Sequence, residues 1–158
     1  MYNIIWNQFG AALDMLRNAI EKCPDNYWDE TDQLWYLAYH TLFWTEYYLD
    51  DYELPFKSTT FGHSEFDPKG VKPNRVFSKL ELINALEKIK KNAELKITNL
   101  NEEDAQKPFS GYKKGYTFTE ITLYNMRHIQ HHAAQMNILL RQKIDDAPGW
   151  VSRVRIKD

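Results

Sequence analysis

The chain has 158 residues, and 20 Lys plus Arg against 22 Asp plus Glu leave a formal charge of only −2. That length fits a single domain over 1–158 with a core large enough to fold unaided. The balanced charge argues against a nucleic-acid binder working through a strong basic field. A hydrophobic content of 43% argues against disorder.

The first helix is expected over Tyr2–Lys22. Ile5, Phe9, Ala12, Leu13, Leu16 and Ile20 recur at spacings of three and four, the period of one helical face. Asp14 interrupts its apolar stretch and no basic start precedes it, so the segment does not read as a signal peptide. Pro24 ends it. Cys23 is the only cysteine, which excludes an internal disulfide, a thiolate zinc cluster and a CxxC pair within one chain. No apolar run approaches the roughly 20 residues that span a bilayer. The expectation is a soluble protein of a reducing compartment.

A second helix is expected from Asp29 or Thr31 to Asp51, crowded with Trp35, Tyr36, Tyr39, Phe43, Trp44, Tyr47 and Tyr48. Asp29, Glu30 and Asp32 would suit the positive end of its dipole. Residues Glu53 to Val76 read as an irregular crossover, broken by Pro55, Gly62, Pro68, Gly70 and Pro73. Its interleaved Phe56, Phe61 and Phe66 should pin it to the body of the protein. Ser78-Lys-Leu-Glu81 fits a capping box opening a third helix that ends near Asn99. Asn101 to Lys107 reads as a short extra turn, and Gly111 and Gly115 mark a loop. Thr117-Phe-Thr-Glu120 opens a fourth helix running to about Ile144, and Trp150 to Asp158 reads as a short extended arm.

Four long helices indicate an all-α four-helix bundle. The short first connection should make helices one and two antiparallel neighbours. The second connection, about two dozen residues, can run back along a helix roughly 30 Å long, so helices two and three should be parallel. The predicted order is up-down-down-up, with a long crossover loop between helices two and three.

The chemistry concentrates in the histidines. His128 and His132 are four apart, which puts their Cβ atoms about 5–6 Å from each other on one helical face. Two imidazoles so placed can converge on one cation. His40, on the aromatic face of helix two, is the candidate third ligand. A histidine there is either hydrogen-bonded or bound to metal. His131 is also spaced to chelate with His128, but it points about 100° away from His132. His63 reads as a surface residue of the crossover, the other reading being a lid residue that reaches the site.

Absences narrow the reaction. There is no HExxH, no Glu-x-x-His, no CxxCH and no glycine-rich phosphate loop. Three neutral imidazoles without a carboxylate suit Zn²⁺ or Ni²⁺ and leave a position for water or substrate. Tyr36, Tyr47, Tyr124, Asn125 and Gln135 fall within about 60° of the ligand faces. Any of them can bond a ligand's second nitrogen, and the three tyrosines are the candidate catalytic side chains. The other reading of each is bundle packing with a polar tip. Arg153, Arg155 and Lys157 read as a solvated tail that could also grip an anion.

The segments Trp35-Tyr-Leu-Ala-Tyr-His40 and Asn125-Met-Arg-His128-Ile-Gln-His-His132-Ala-Ala-Gln135 resemble the DinB-like superfamily, whose members are read as metalloenzymes. The stretch Ala147 to Trp150 is similar to a subgroup of it. The resemblance implies a cytoplasmic up-down-down-up bundle, often a homodimer, with a divalent metal held by three histidines. Carried over by position, these are His40, His128 and His132. Family members with assigned activities include thiol-dependent S-transferases and a maleylpyruvate isomerase using low-molecular-weight thiols. The sequence departs from the family after the last ligand, where His132-Ala-Ala stands in place of His-Arg-Gly.

Three functions follow as expectations. The first is a metal-dependent thiol S-transferase acting on a small electrophile. The second is a metal-dependent hydrolase using metal-bound hydroxide. The third is a non-catalytic dimeric bundle that binds a small ligand. None calls for a membrane or a nucleic acid as partner.

Overall fold

The computed structural model describes residues 2–31, 33–50, 56–66, 72–111 and 113–154. The described residues form five α-helices: α1 (Tyr2–Lys22), α2 (Leu34–Asp50), α3 (Lys79–Thr98), the single-turn α4 (Glu102–Gln106) and α5 (Phe118–Ile144). No strand occurs among the described residues beyond an isolated bridge between Pro108 and Thr117.

Ion pairs and hydrogen bonds between helices fix their directions. Arg17 meets Glu87 at 2.8 Å and Asp14 meets Lys90, so α1 and α3 are antiparallel. Tyr39 stacks on Phe77 just before α3, and Asp50 pairs with Lys96 near its end, so α2 and α3 are parallel. Gln130 reaches Met15 and Asp146 reaches Lys22, so α5 runs with α1. The order is up-down-down-up, as the connection lengths predict.

Two details differ from the sequence reading. Helices α1 and α2 are diagonal across the bundle, each packing chiefly on α3 and α5. The connection of residues 23–33, with a 3₁₀ turn at Asp25–Tyr27, is long enough to cross the bundle end. Helix α2 also starts later than expected. Gln33 adopts a left-handed φ of 48°, which a helix interior does not accept. Asp29 therefore takes the Trp35 indole N–H at 2.7 Å, and Glu30 pairs with Lys143. Neither lies in the first turn of α2. Asp32 is outside the described residues.

The caps of the later helices follow the sequence signals. Ser78 and Glu81 close a reciprocal capping box on α3. The Thr117 hydroxyl accepts from Glu120 N at 3.2 Å to open α5. The tail packs along α1, with Val154 N donating to Asn7 O at 2.9 Å. Gly10 makes that approach possible, because a Cβ there would lie 2.5 Å from Val154 Cγ2. Arg155 and Lys157 lie outside the described residues.

Helix α2 is buried on most of its circumference, since α3 and α5 cover one side and the crossover covers another. Phe56 packs on Phe43 at 5.3 Å, Phe61 on Tyr39 at 5.0 Å and Phe66 on Trp44 at 4.9 Å. Full burial, as at Phe56, stabilises the fold by about 1.5–3 kcal/mol, and the half-buried Phe61 and Phe66 contribute less. Polar bonds fix the same segment. Glu46, 5% exposed, accepts from Ser58, from Thr59 at 2.9 Å and from Thr60 at 2.7 Å. The crossover is thus fastened to α2 at 56–66, whereas Pro55, Pro68 and Gly70 lie outside the described residues.

Candidate metal centre

Antiparallel packing of α2 on α5 brings the middle of one helix against the middle of the other. Asn125 Nδ2 donates to the Thr45 carbonyl at 3.1 Å, and Tyr48 packs edge-on against Tyr124 at 5.3 Å. One turn further along α5, His128 and His132 face His40. The ring centroids of His40 lie 5.5 Å from His128 and 5.0 Å from His132. One ring nitrogen from each of the three falls within 4.8 Å of the others.

Hydrogen bonds at the back of the rings decide which nitrogens converge. His40 Nδ1 lies 2.7 Å from Glu65 Oε2. A carboxylate only accepts, so the ring proton is placed on Nδ1 and Nε2 keeps its lone pair. His132 Nδ1 lies 2.6 Å from Gln135 Oε1, which by the same logic leaves its Nε2 bare. That Nε2 is 3.1 Å from Nε2 of His128. Two nitrogens bound tetrahedrally at about 2.0–2.1 Å from one zinc ion stand about 3.3 Å apart. The His128–His132 pair is therefore close to ligand spacing already, and His40 must approach further.

Burial keeps His128 and His132 neutral. It lowers the pKa of His128 to about 3, with the charges of His132, His40 and His131 adding to the effect. Burial also lowers His132 to about 4, opposed by its bond to Gln135. Both imidazoles are unprotonated at neutral pH, the state a metal requires. The linkage to stability has a definite sign. Between about pH 6.5 and 4 the unfolded chain takes up protons that the folded chain refuses. Metal-free protein should therefore lose stability as pH falls through this window. The slope should approach about 1.4 kcal/mol per pH unit for each histidine. Urea unfolding midpoints measured across that range check it, and a flat profile contradicts the burial of these rings.

Glu65 is the residue the sequence reading missed. It sits on the crossover, is 7% exposed, and accepts from Trp44 Nε1 at 2.6 Å as well as bonding His40. The expectation of a site without a carboxylate is corrected accordingly: the acid stands behind the histidine. The only local signal was its place between pinned phenylalanines. Gln135 bonds the His132 ring, as the face argument allowed.

The other candidates separate clearly. Tyr36 lies beside the cluster, its ring 6.1 Å from His40. Burial, and then the Glu65 charge, push its pKa up to about 12, so it keeps its proton. Tyr124 lines a cleft of about 450 Å³ together with Arg127, His128 and His131. Tyr47 is fully buried among Phe56, Phe66 and Phe109, a core position. His131 is exposed, with its ring 5.0 Å from that of His132. His63 packs near Tyr39 at 6.3 Å and is not one of the three converging rings.

No helix among the described residues is long and apolar enough to cross a membrane. Comparison with family models, with curated proteins and with solved structures gave no match.

Proposed function

We propose that His40, His128 and His132 hold one divalent metal ion, zinc or nickel, and that the protein is a metal-dependent transferase joining a low-molecular-weight thiol to a small electrophile. The observation that carries this reading is the convergence of three imidazole nitrogens within 4.8 Å, two of them with the ring proton committed elsewhere. The donor set fits the ion: all three ligands are borderline-soft nitrogens, suited to zinc or nickel. The ion, when bound, supplies a Lewis acid that lowers the pKa of a thiol beside it.

The chain's own residues supply the rest. Glu65 and Gln135 hold two rings in the tautomer that presents Nε2. The Tyr36 phenol, protonated at neutral pH, hydrogen-bonds Glu65 and so steadies the carboxylate that orients His40. Trp44, Tyr36 and Tyr48 form an apolar wall around the imidazoles.

The preference for a thiol over water comes from the resemblance to DinB-like proteins, with which the bundle order agrees. A reducing cytoplasm fits the buried, unpaired Cys23. A homodimer is part of what the resemblance to DinB-like proteins implies.

The test is turnover of an activated aryl halide by metal-loaded protein, with and without a small thiol. Loss of the halide should require both metal and thiol. Ester or amide cleavage without thiol supports the hydrolase instead. A protein that binds metal yet consumes neither class of substrate supports the non-catalytic binder.

A further inference from the structure

The three imidazoles are not held alike. His40 has a carboxylate at its Nδ1 and His132 an amide oxygen. The Nδ1 of His128 is buried with no hydrogen-bond partner among the described residues. With Nε2 of His132 bare, the 3.1 Å contact between the two Nε2 atoms is a hydrogen bond that His128 donates, so without metal the His128 proton sits on Nε2. A metal on that Nε2 moves the proton to Nδ1, where an unpaired N–H shut away from water would cost about 1–3 kcal/mol. Nearly all such groups in folded proteins have a partner.

Asn125 lies one turn earlier on α5 and is fully buried. Its Nδ2 donates to Thr45 O, which fixes the amide by its nitrogen end. Its Oδ1 is buried and unpartnered. An unpaired acceptor and an unpaired ring nitrogen therefore sit three residues apart on one helix. Side chains at that spacing are neighbours, with Cβ atoms about 5–6 Å apart.

We propose that Asn125 is the positioning residue for His128: when a metal engages Nε2, the ring proton resides on Nδ1 and Asn125 Oδ1 accepts it. A small swing of the imidazole, or one bridging water, closes the gap. The inference rests on the metal reading above. It gives each ring its own anchor: Glu65 for His40, Gln135 for His132 and Asn125 for His128. Asn125 also ties α5 to α2, the helix that carries His40, so it couples helix register to ring orientation.

The test is Zn²⁺ affinity, measured by competition with a chromogenic chelator, for wild type, Asn125→Leu and Asn125→Asp. Both variants lose the bond to Thr45 O, but only Asp keeps an accepting oxygen. Asn125→Leu should bind Zn²⁺ roughly 10–100-fold more weakly. Asn125→Asp should stay within about threefold of wild type. Equal affinity for wild type and Leu overturns the proposal, as does a loss in Asp as large as in Leu. Wild type that binds no Zn²⁺ overturns the metal reading itself, which keeps the two failures distinct. Imidazole ¹H–¹⁵N spectra of the Zn-loaded wild type decide the matter even if the variants fail to fold. A slowly exchanging Nδ1 proton on His128 is the expected signal, and a freely exchanging one contradicts the proposal.

Discussion

Alanine at His40, His128 or His132 should each abolish stoichiometric zinc binding, while His63→Ala should bind as wild type does. The argument is geometric. Removing one imidazole leaves two nitrogens from a set of three, and the remaining described residues place no other His, Cys, Asp or Glu in that group. The loss should exceed the roughly 10–100-fold that follows removal of a residue behind a ligand. Folding is not expected to fail with it. The three rings are only partly buried, and His128 and His132 sit on a helix whose core side is carried by Ile129, Ala133 and Met136. Chelator competition on the four variants, beside far-ultraviolet circular dichroism, reads both quantities. Equal zinc affinity in all four would reject the ligand assignment.

The second large effect is expected at Glu65. Its carboxylate orients His40 and also takes the Trp44 indole N–H. Glu65→Ala removes both bonds and should weaken zinc binding roughly 10–100-fold. Glu65→Gln keeps one accepting oxygen and should fall between alanine and wild type. Glu65 lies 25 residues from His40 on the crossover and contributes to the site only because Phe56, Phe61, Phe66 and Glu46 hold that segment against α2. Unchanged affinity in Glu65→Ala would mean that His40 is oriented by packing alone.

Glu65 marks the limit of what the sequence makes legible. The helices α1, α3 and α5 announce themselves, because their apolar spacing and the Ser78 and Thr117 caps are local signals with local causes. Chain direction follows from connection length, which is again a property of the sequence. The His128–His132 pair is visible because helical geometry turns a spacing of four into proximity. His40 is harder, since pairing it with α5 requires knowing where two helices cross. Glu65 and Glu46 are harder still. They act across an irregular segment, where no periodicity relates a residue's number to the direction it faces. The diagonal placement of α1 and α2 was missed for a similar reason. It depends on how residues 23–33 turn at the bundle end, including the left-handed Gln33.

X-ray absorption at the metal edge, on untagged protein purified without chelating resin, tests the central claim most directly. The account predicts about one zinc or nickel ion per chain, with three imidazole nitrogens at about 2.0–2.1 Å when the metal is zinc. Protein that carries no metal and takes up none, or a bound ion whose scattering lacks imidazole, would contradict it.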